Sequence, residues 1–339
     1  MSLRAAVATA IEGREVPAPM LEAAFGEIMD GRGSEILCAA LLVALRVKGE
    51  TVGEIVAAAR AARSRAQTRP CPDPRAVDTC GTGGDGTSTF NISTAAAFVV
   101  AGAGVPVAKH GNRAASSRAG SIDVLEALGV NVEIPVEAAA KLLVEIGIAP
   151  FFARIAHPAM RALAPVREAL GVRTLMNCLG PLLNPVGVRL QLVGVYAASL
   201  VETLAAALGE LGCLRALVVH GADGLDEITT TTHTDAAWLE AGSVRRLRIE
   251  PEPLGIALAR PEDLRGGDAA ENAAIVRAVL AGEPGPRRDI VLLNAAAALW
   301  VAGAADGLAE GLSLARRSLE EGAAEGKLAL LVAASRSSA

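Results

Sequence analysis

The sequence predicts an α/β protein: a small all-helical domain plus a larger α/β domain with a mostly parallel sheet flanked by helices. Three observations lead to this fold class. The chain up to about residue 68 shows helical periodicity without strand patterns. Three prolines then stand within residues 70–74, a density that excludes helix and marks a boundary. Beyond it, short strand-like segments alternate with helical ones, as in a parallel sheet covered by helices on both faces. We expect the helical domain at residues 1–72 and the α/β domain at residues 73–339.

The N-terminal part contains recognisable helix starts and stops. One helix is predicted over residues 20–30, and a second over residues 34–49, where it ends at a glycine. Thr51 and Glu54 form a capping-box pattern that begins a third helix. These signals predict a compact helical unit before the prolines.

The α/β part contains alternating segments. Strands are predicted at residues 77–80, 105–107, 130–134, 190–196, 216–220 and 243–249. Helices are predicted at residues 93–103 and 122–128, and residues 289–301 are interpreted as helix because of their Ala run. Prolines within residues 157–185 interrupt the alternation, and we expect part of this segment to pack on the N-terminal helices.

The composition argues against nucleic acid and membrane partners. The formal net charge is −5 and only 2% of the residues are aromatic, whereas a nucleic-acid-binding chain usually has a basic surplus and aromatic rings for base stacking. Residues 86–108 carry no charge over a length of 23, which could span a membrane. However, Thr, Ser and Asn fill the first half of this stretch, and Gly and Pro106 interrupt the second. It is therefore interpreted as a loop, a buried helix and a strand.

The cysteines indicate a reducing compartment. They are odd in number, widely spaced and without a C-x-x-C pair: Cys38, Cys71, Cys80, Cys178 and Cys213. This pattern differs from a disulfide framework and from a zinc site. No apolar stretch of signal-peptide length precedes Glu12. We therefore expect a cytoplasmic protein.

The first candidate site is a glycine-rich loop between a predicted strand and a predicted helix, at residues 78–89. Its glycines, among them Gly81 and Gly84, can expose backbone N–H groups to an anion, and the positive end of the following helix adds to the attraction. The loop matches G-x-G-x-x-G, but the acidic residue that a dinucleotide site needs about 20 positions on is missing. A Walker A loop would need Lys where Thr87 stands. The loop therefore predicts a phosphate site of another kind, in which Asp85 faces a metal ion or a ribose hydroxyl.

A second loop repeats the strand–loop–helix pattern at residues 109–121. It concentrates cations, an amide, hydroxyls and two glycines within 13 residues. Its Lys109 is one of only four lysines in a chain that has 28 arginines. Two anion-binding loops on adjacent units predict a ligand with phosphate at both ends.

A third motif follows the strand predicted at residues 216–220. Asp226 and Glu227 are adjacent carboxylates on the C-terminal side of that strand, where parallel sheets place ligands. Carboxylate oxygens together with phosphates are the ligands that Mg²⁺ prefers. The sequence therefore predicts that these two acids hold magnesium beside the phosphate loops.

Four segments, in this order, resemble the signatures of the anthranilate phosphoribosyltransferase family: GTGGDGTSTFNIST, KHGNRAASSRAGS, HPAMRALAPVREALGVRTLMNCLGPLLNP and HGADGLDE. The likeness covers nearly the whole chain. It implies a reaction in which the amine of anthranilate attacks C1 of 5-phosphoribosyl 1-pyrophosphate (PRPP) and Mg-bound pyrophosphate leaves, a step of tryptophan synthesis. It also implies a homodimer formed through the small helical domain.

The resemblance implies roles for individual residues. PRPP would be bound by Gly81, Gly84, Asp85, Thr89, Asn91, Ser93, Thr94, Lys109, His110, Gly111, Asn112, Arg113, Ala114, Ala115, Ser116, Ser117 and Ser121. Anthranilate would be bound by Gly81, Asn112 and Arg167, the last through the carboxylate of the substrate. Two Mg²⁺ ions would be held by Ser93, Asp226 and Glu227. No residue is assigned as a catalytic acid or base, because an aromatic amine needs no deprotonation before it attacks; His110 and His157 are interpreted as wall residues.

Two other functions remain open at this point. A pyrimidine-nucleoside phosphorylase resembles this family in fold, but it requires no Mg²⁺ pair, and the acid pair together with Arg167 favours the transferase. A non-catalytic relative that binds nucleic acid is the second alternative. The negative net charge and the intact third motif argue against it.

Overall fold

The computed structural model of the chain describes residues 2–114 and 118–337. Its N-terminal domain is built from four helices: α1 Ser2–Ile11, α2 Ala18–Met29, α3 Glu35–Lys48 and α4 Val52–Arg63. The capping box of α4 is formed, since Glu54 N donates to Thr51 Oγ1 at 3.2 Å and Thr51 N donates to Glu54 Oε2 at 3.0 Å. Helix α3 ends at Gly49, whose φ of +89° lies in the region that favours glycine. The three helices predicted here are confirmed.

A seven-stranded sheet forms the centre of the larger domain. Its strands are β1 Val77–Gly81, β2 Val107–Gly111, β3 Ile148–Phe152, β4 Leu190–Gly194, β5 Arg215–Gly221, β6 Thr234–Glu240 and β7 Ser243–Ile249. They lie in the order β3-β2-β1-β4-β5-β6-β7. The first five strands of this order are parallel, and β6 and β7 continue the sheet antiparallel. The predicted fold class, a helical domain plus an α/β domain with a mostly parallel sheet, is confirmed.

Helices flank this sheet. The longer ones are α5 Ile92–Gly102, α6 Ser121–Ala127, α7 Val136–Ile146, α11 Leu200–Glu210, α12 Ala269–Leu280, α13 Pro286–Val301, α14 Leu308–Glu320 and α15 Ala323–Ser337, and the short ones are α8 Ala153–Ala156, α9 Ala164–Leu170 and α10 Met176–Leu179. The helical interpretation of residues 289–301 is confirmed by α13. Among the described helices, none is both long and apolar enough to cross a membrane.

Two strand predictions are corrected by the structure. Residues 130–134 form no strand. The side chains of Val130, Val132 and Ile134 fill the core, but the backbone of this segment does not pair with a strand of the sheet. The position beside β2 is taken by β3, in which Pro150 is tolerated at the edge of the sheet. The second predicted strand begins at Val107, after Pro106, and extends to residue 111 instead of ending at 107.

Two apolar cores cover the two faces of the sheet. Along β5, Leu217 belongs to one core and Val218 to the other, as expected for side chains that alternate across a strand. The second core also contains Leu41 of α3, Ile55 of α4 and Leu179 of the proline-rich segment. The small domain therefore packs on one face of the sheet. The carboxyl ends of the sheet strands remain available to form a site.

Candidate active site

The order in which the chain adds strands to the sheet reverses between β1 and β4. From β1 the chain continues outward to β2 and β3, whereas β4 leads to β5 on the other side. The two central strands end at Gly81 and Gly194, which are partners in the sheet register. The crevice outside the carboxyl ends of strands at such a point is where open α/β sheets bind ligands. The glycine loop leaves the sheet here.

The glycine loop contains backbone conformations that residues with a side chain rarely adopt. Gly83, Gly84 and Gly86 have φ values of +65°, +72° and +81°. The start of the loop is held to β4 because Thr82 N donates to Gly194 O at 2.9 Å. Successive turns of this kind expose backbone N–H groups along one side of the chain, as an anion site requires.

The third motif meets this loop in space. Gly83 N donates to Asp226 Oδ2 at 2.7 Å, although 143 positions separate the two residues in the chain. Ser93 N, at the start of α5, donates to Glu227 Oε1 at 3.1 Å. Asp85 is in the same cluster, since Asp226 N donates to its Oδ2 at 3.5 Å. Two segments that the sequence analysis identified separately are thus parts of one site.

Negative charge is incompletely neutralised in this cluster. Asp226 and Glu227 are partly exposed residues, yet protein surrounds their carboxyl groups; this desolvation raises the pKa of both, that of Glu227 to about 7. The neighbouring carboxylates raise the pKa of Asp226 further, whereas Lys109 and Ser93 act against the rise at Glu227. Because this environment disfavours the ionised form of both carboxyl groups, a cation bound beside them would be stabilised.

The donor set fits magnesium in the company of phosphate. In the described part of the chain, no three carboxylate, imidazole or thiol groups converge in a way that could hold a metal ion by themselves. Mg²⁺ usually binds through one or two carboxylates and takes its remaining ligands from water and substrate phosphates. Asp226 and Glu227, with the hydroxyl of Ser93 nearby, match this arrangement.

Lys109, which was predicted to begin the second loop, lies in the strand before that loop. It lies in β2 with only 4% of its surface exposed, and its Nζ donates to Thr79 O at 2.6 Å and lies 3.5 Å from Ser93 Oγ. Burial lowers its pKa, and the attraction of Asp78 opposes this change. Because β2 is longer than predicted, Lys109 lies within the strand. Its ammonium group there stabilises the start of the glycine loop through the carbonyl of Thr79.

Asp78 is a buried acid that sequence reasoning did not single out. Burial raises its pKa to about 6, although its carboxylate accepts hydrogen bonds from Asn184 Nδ2 at 2.9 Å and from His110 N at 3.1 Å. These contacts tie β1 to β2 and to the proline-rich segment. Asp78 thus fixes the strand from which the glycine loop emerges.

The second loop is closed by an acid of α6. Asp123 Oδ2 accepts from Ala114 N at 2.9 Å and from Gly120 N at 2.8 Å, so it joins both ends of the loop. Arg113 is occupied, because it donates to Glu126 Oε1 at 2.9 Å and lies over the Phe152 ring. The predicted PRPP ligands Ala115, Ser116 and Ser117 lie outside the described residues.

The remaining predicted residues of this loop differ in exposure. Asn112 is exposed, and its Oδ1 accepts from Arg113 N at 2.9 Å. Gly111 packs so closely on Ser121 that a methyl group there would stand 3.3 Å from Ser121 Cβ and nearer still to its hydroxyl. The β2 end and the α6 start are thereby held together.

Asn91 connects the two loops. Its Nδ2 donates to Ala119 O at 3.3 Å, and its Oδ1 accepts from Asn272 Nδ2 at 2.9 Å. Asn272, which the sequence analysis did not predict as a site residue, is buried on α12 and is the support of Asn91. Thr89 forms an isolated bridge with Arg265, and Thr94 is fully buried with an Oγ1 that has no partner among the described residues.

The two histidines near the site are buried and neutral. His110 Nδ1 lies 3.1 Å from Gly180 O and His157 Nε2 lies 2.7 Å from Leu183 O, with the rings edge to face at 5.4 Å. Burial lowers the pKa of both and brings that of His110 to about 3. Neither group changes its charge near neutral pH.

Arg167 and Arg173 are two of the arginines in the segment after residue 157. Arg167 lies on α9 and is exposed, and its side chain forms no hydrogen bond or ion pair within the described ranges, so its guanidinium donors are free for a ligand. Arg173 was not predicted, but a methyl group on Gly84 would stand 3.8 Å from its Nε. The sequence around Arg173 shows only that it follows the C-cap glycine of α9, Gly171, and this position alone does not indicate a site residue.

Comparisons with known proteins agree with this architecture. A model described as "Glycosyl transferase family, helical bundle domain" matches residues 4–66, and one described as "Glycosyl transferase family, a/b domain" matches residues 73–325. The anthranilate phosphoribosyltransferase of Moorella thermoacetica is 52% identical over 331 residues, which cover 98% of each chain.

Solved structures are similar over the same length. The anthranilate phosphoribosyltransferase of Thermus thermophilus superposes with a TM-score of 0.92 at 44% identity, covering 98% of this chain and 99% of that one. The Saccharomyces cerevisiae enzyme, solved in complex with PRPP and Mg, has a TM-score of 0.90 at 26% identity and covers 99% of this chain and 98% of its own. On this evidence the chain belongs to the anthranilate phosphoribosyltransferase family.

Proposed function

We propose that this chain transfers the 5-phosphoribosyl group of PRPP to the amine of anthranilate in the cytoplasm, giving N-(5-phosphoribosyl)anthranilate and pyrophosphate for tryptophan synthesis. The single observation that carries the proposal is the contact of Asp226 with Gly83, at 2.7 Å, because it joins the acid pair to the glycine loop. Family membership supplies the reaction.

PRPP is proposed to lie along the two loops. Backbone N–H groups near Gly81 and Gly84, with Asn91 and Ser93 at the start of α5, would bind one end. The loop closed by Asp123, which includes Asn112 and Arg113, would bind the other. A ligand with phosphate at both ends matches this spacing of anion sites on neighbouring strands, β1 and β2.

Magnesium is the proposed metal, and two ions fit the charge of the site. Asp226, Glu227 and Ser93 would hold them, since oxygen donors are what Mg²⁺ prefers and Lys109 offsets only part of the negative charge of the cluster. When bound, the metal would neutralise charge on the pyrophosphate leaving group.

Proton transfer makes little demand on the protein in this reaction. Breaking the C1–O bond sends its electron pair to pyrophosphate, and the anthranilate nitrogen forms the new C1–N bond with its own lone pair. The nitrogen then releases one proton to the pyrophosphate or to water, so no protein base is required. The neutral imidazoles of His110 and His157 are proposed to shape the wall of the substrate pocket. Catalysis then rests on charge stabilisation and on alignment of the two substrates.

The function is tested by following anthranilate fluorescence on addition of PRPP and MgCl₂. We expect the signal to fall as product forms and to remain constant in excess EDTA. Turnover that is unaffected by EDTA would contradict the metal requirement. Phosphorolysis of thymidine in place of transfer would identify a nucleoside phosphorylase.

The Arg167→Ala variant is expected to raise the KM for anthranilate by about 10- to 100-fold, because it removes a charge-assisted hydrogen bond to the substrate carboxylate. The KM for PRPP should stay within a small factor of the wild type. Arg167→Lys is the matched control, since it keeps the charge without the planar fork and should recover part of the affinity. Steady-state kinetics with each substrate varied in turn measures both constants; an unchanged anthranilate KM would remove Arg167 from the site.

The small domain is proposed to end near residue 72, and the α/β domain to cover residues 73–339. A homodimer is proposed through the exposed face of α3, in the small domain. Ile36 and Val47 are 80% and 82% exposed, and Val43 lies between them at 40%. Their spacing of seven and four positions places them on one face of the helix. A stripe of large apolar side chains on a helix surface is typical of an interface.

The Val47→Asp variant, combined with Ile36→Asp, is expected to convert the dimer into monomers, because two carboxylates would have to be buried at the interface. Light scattering after gel filtration measures the mass. Val144→Asp, at a valine of α7 that is 65% exposed, is the control and should leave the mass unchanged. A wild-type chain that is monomeric at high concentration, or a double variant that stays dimeric, would count against this interface.

A further inference from the structure

Arg173 is a cation that borders the glycine loop from outside it. It lies between α9 and α10, in the segment that packs with the N-terminal helices. A methyl group on Gly84 would stand 3.8 Å from its Nε and 4.0 Å from its Nη2. The guanidinium therefore lies within van der Waals distance of any side-chain atom at that position, and it borders the space above the loop backbone.

An aromatic ring holds this guanidinium in place. Cζ of Arg173 lies 4.4 Å from the centroid of the Tyr196 ring. Tyr196 follows β4, and its N–H donates to Thr82 Oγ1 at 3.1 Å, so the ring is tied to the same glycine loop. The attraction between the guanidinium and the ring face favours this position and leaves the N–H groups of Arg173 available for a second partner.

The side-chain donors of Arg173 have no hydrogen-bond or ion-pair partner in the described ranges, where the guanidinium lies over the Tyr196 ring and borders the space beside Gly84. Two other cations near the loops are occupied. Arg113 is paired with Asp123 and Glu126, and Lys109 donates to a backbone carbonyl. Arg173 is thus an exposed cation beside the glycine loop with hydrogen-bonding capacity to spare.

Acids lie in the glycine loop and directly beside it. Asp226 accepts from the Gly83 amide, and Asp85 is held within the loop by Thr87, whose Oγ1 donates to it at 2.6 Å. A polyanion bound on these amides faces carboxylates at short range, so it needs positive charge in addition to a metal ion. A guanidinium fork suits this purpose, because it binds two phosphate oxygens at once.

We propose that Arg173 binds the pyrophosphate end of PRPP from its platform on Tyr196. The pyrophosphate end is assigned because Arg173 stands at the same loop as the acid pair proposed for magnesium, whereas the second loop lies one strand away on β2. This inference rests on the proposed function. Since the pyrophosphate gains charge as the C1–O bond breaks, the same contact assists both binding and transfer.

The Arg173→Ala variant tests this assignment with two inhibitors that represent the two ends of PRPP. We expect the Kd of PRPP and the inhibition constant of pyrophosphate, both with Mg²⁺, to rise by about 10- to 100-fold. The inhibition constant of ribose 5-phosphate and the KM for anthranilate should change by less than about threefold, because neither involves the lost contact. Calorimetry with pyrophosphate and Mg²⁺ gives a second measurement that does not depend on turnover.

Matched variants separate this role from a structural one. Arg173→Lys should recover part of the pyrophosphate affinity, and Tyr196→Leu should lose affinity because the platform is removed. Arg316→Ala, at an exposed arginine of α14, should have no effect.

Two outcomes would overturn the inference. One is unchanged pyrophosphate binding in Arg173→Ala, and the other is an equal loss for ribose 5-phosphate. A wild-type chain that transfers nothing to anthranilate would instead count against the proposed function. In that case the calorimetric titration would still decide whether Arg173 binds pyrophosphate.

Discussion

Replacing Asp226 by Asn and Glu227 by Gln in the same chain is expected to lower kcat by about 100- to 1,000-fold, because the variant loses the charge that holds the metal and with it several kcal/mol of stabilisation of the leaving group. The amides keep the shape of the carboxylates. Their oxygens can still accept from Gly83 N and Ser93 N, the donors that lie 2.7 and 3.1 Å from the carboxylates in the structure. The loop should therefore remain folded while metal-dependent transfer fails.

The stability of this variant should change in the opposite direction. Desolvation raises the pKa of Glu227 from near 4.5 to about 7, so the folded state binds protons that the unfolded state has already released. The free energy of unfolding contributed by this group therefore falls as the pH rises through that window. Without metal, at pH 8, the amide variant should melt at a higher temperature than the wild type.

Scanning calorimetry in EDTA and steady-state kinetics in MgCl₂ measure the two effects. Asp223→Asn is the matched control, since that acid lies three positions earlier and accepts from Thr229 Oγ1 at 2.7 Å, away from the glycine loop. It should retain kcat. Wild-type turnover in the Asp226 and Glu227 variant would show that these acids are structural.

Local patterns predicted much of the fold because they report burial and chain geometry directly. The capping box of Thr51 and Glu54 has a short-range cause, and it is present as expected. Strand β3 was missed because its five residues are all buried and include Pro150, so they show neither alternation nor a typical strand composition. Val130 and Val132 alternate with polar residues but are buried against a core rather than in a sheet.

The site was predictable only to the extent that its parts are local. The glycine loop and the Asp226-Glu227 pair each have a recognisable pattern of residues. The contacts of Arg173 with Gly84, of Asn272 with Asn91 and of Gly194 with Asp226 join residues far apart in the chain. No local pattern marks such pairs, because each depends on how the strands are ordered in the sheet.

The Gly194→Ala variant is expected to lower kcat/KM by about 100-fold, because a displacement of about 1 Å in a catalytic group can cost that much. A methyl group on Gly194 would stand 2.5 Å from the carbonyl carbon of Asp226 and closer still to its oxygen. Backbone atoms cannot turn aside as a side chain can. The added carbon must therefore move the Asp226 backbone, and with it the carboxylate that meets Gly83.

Two further Gly→Ala variants make the expectation a graded one. At Gly81 the new methyl would stand 2.7 Å from Asp226 Oδ2, the end of a side chain that can rotate, so a smaller loss is expected. At Gly326, within α15, it would meet nothing within 4 Å; kcat/KM should stay unchanged, and stability should rise by about 0.5–1 kcal/mol because Ala favours helix. Kinetics and thermal melting of the three proteins give the ranking. If Gly194→Ala retained activity equal to that of Gly326→Ala, the position of the Asp226 backbone would not be critical for the reaction.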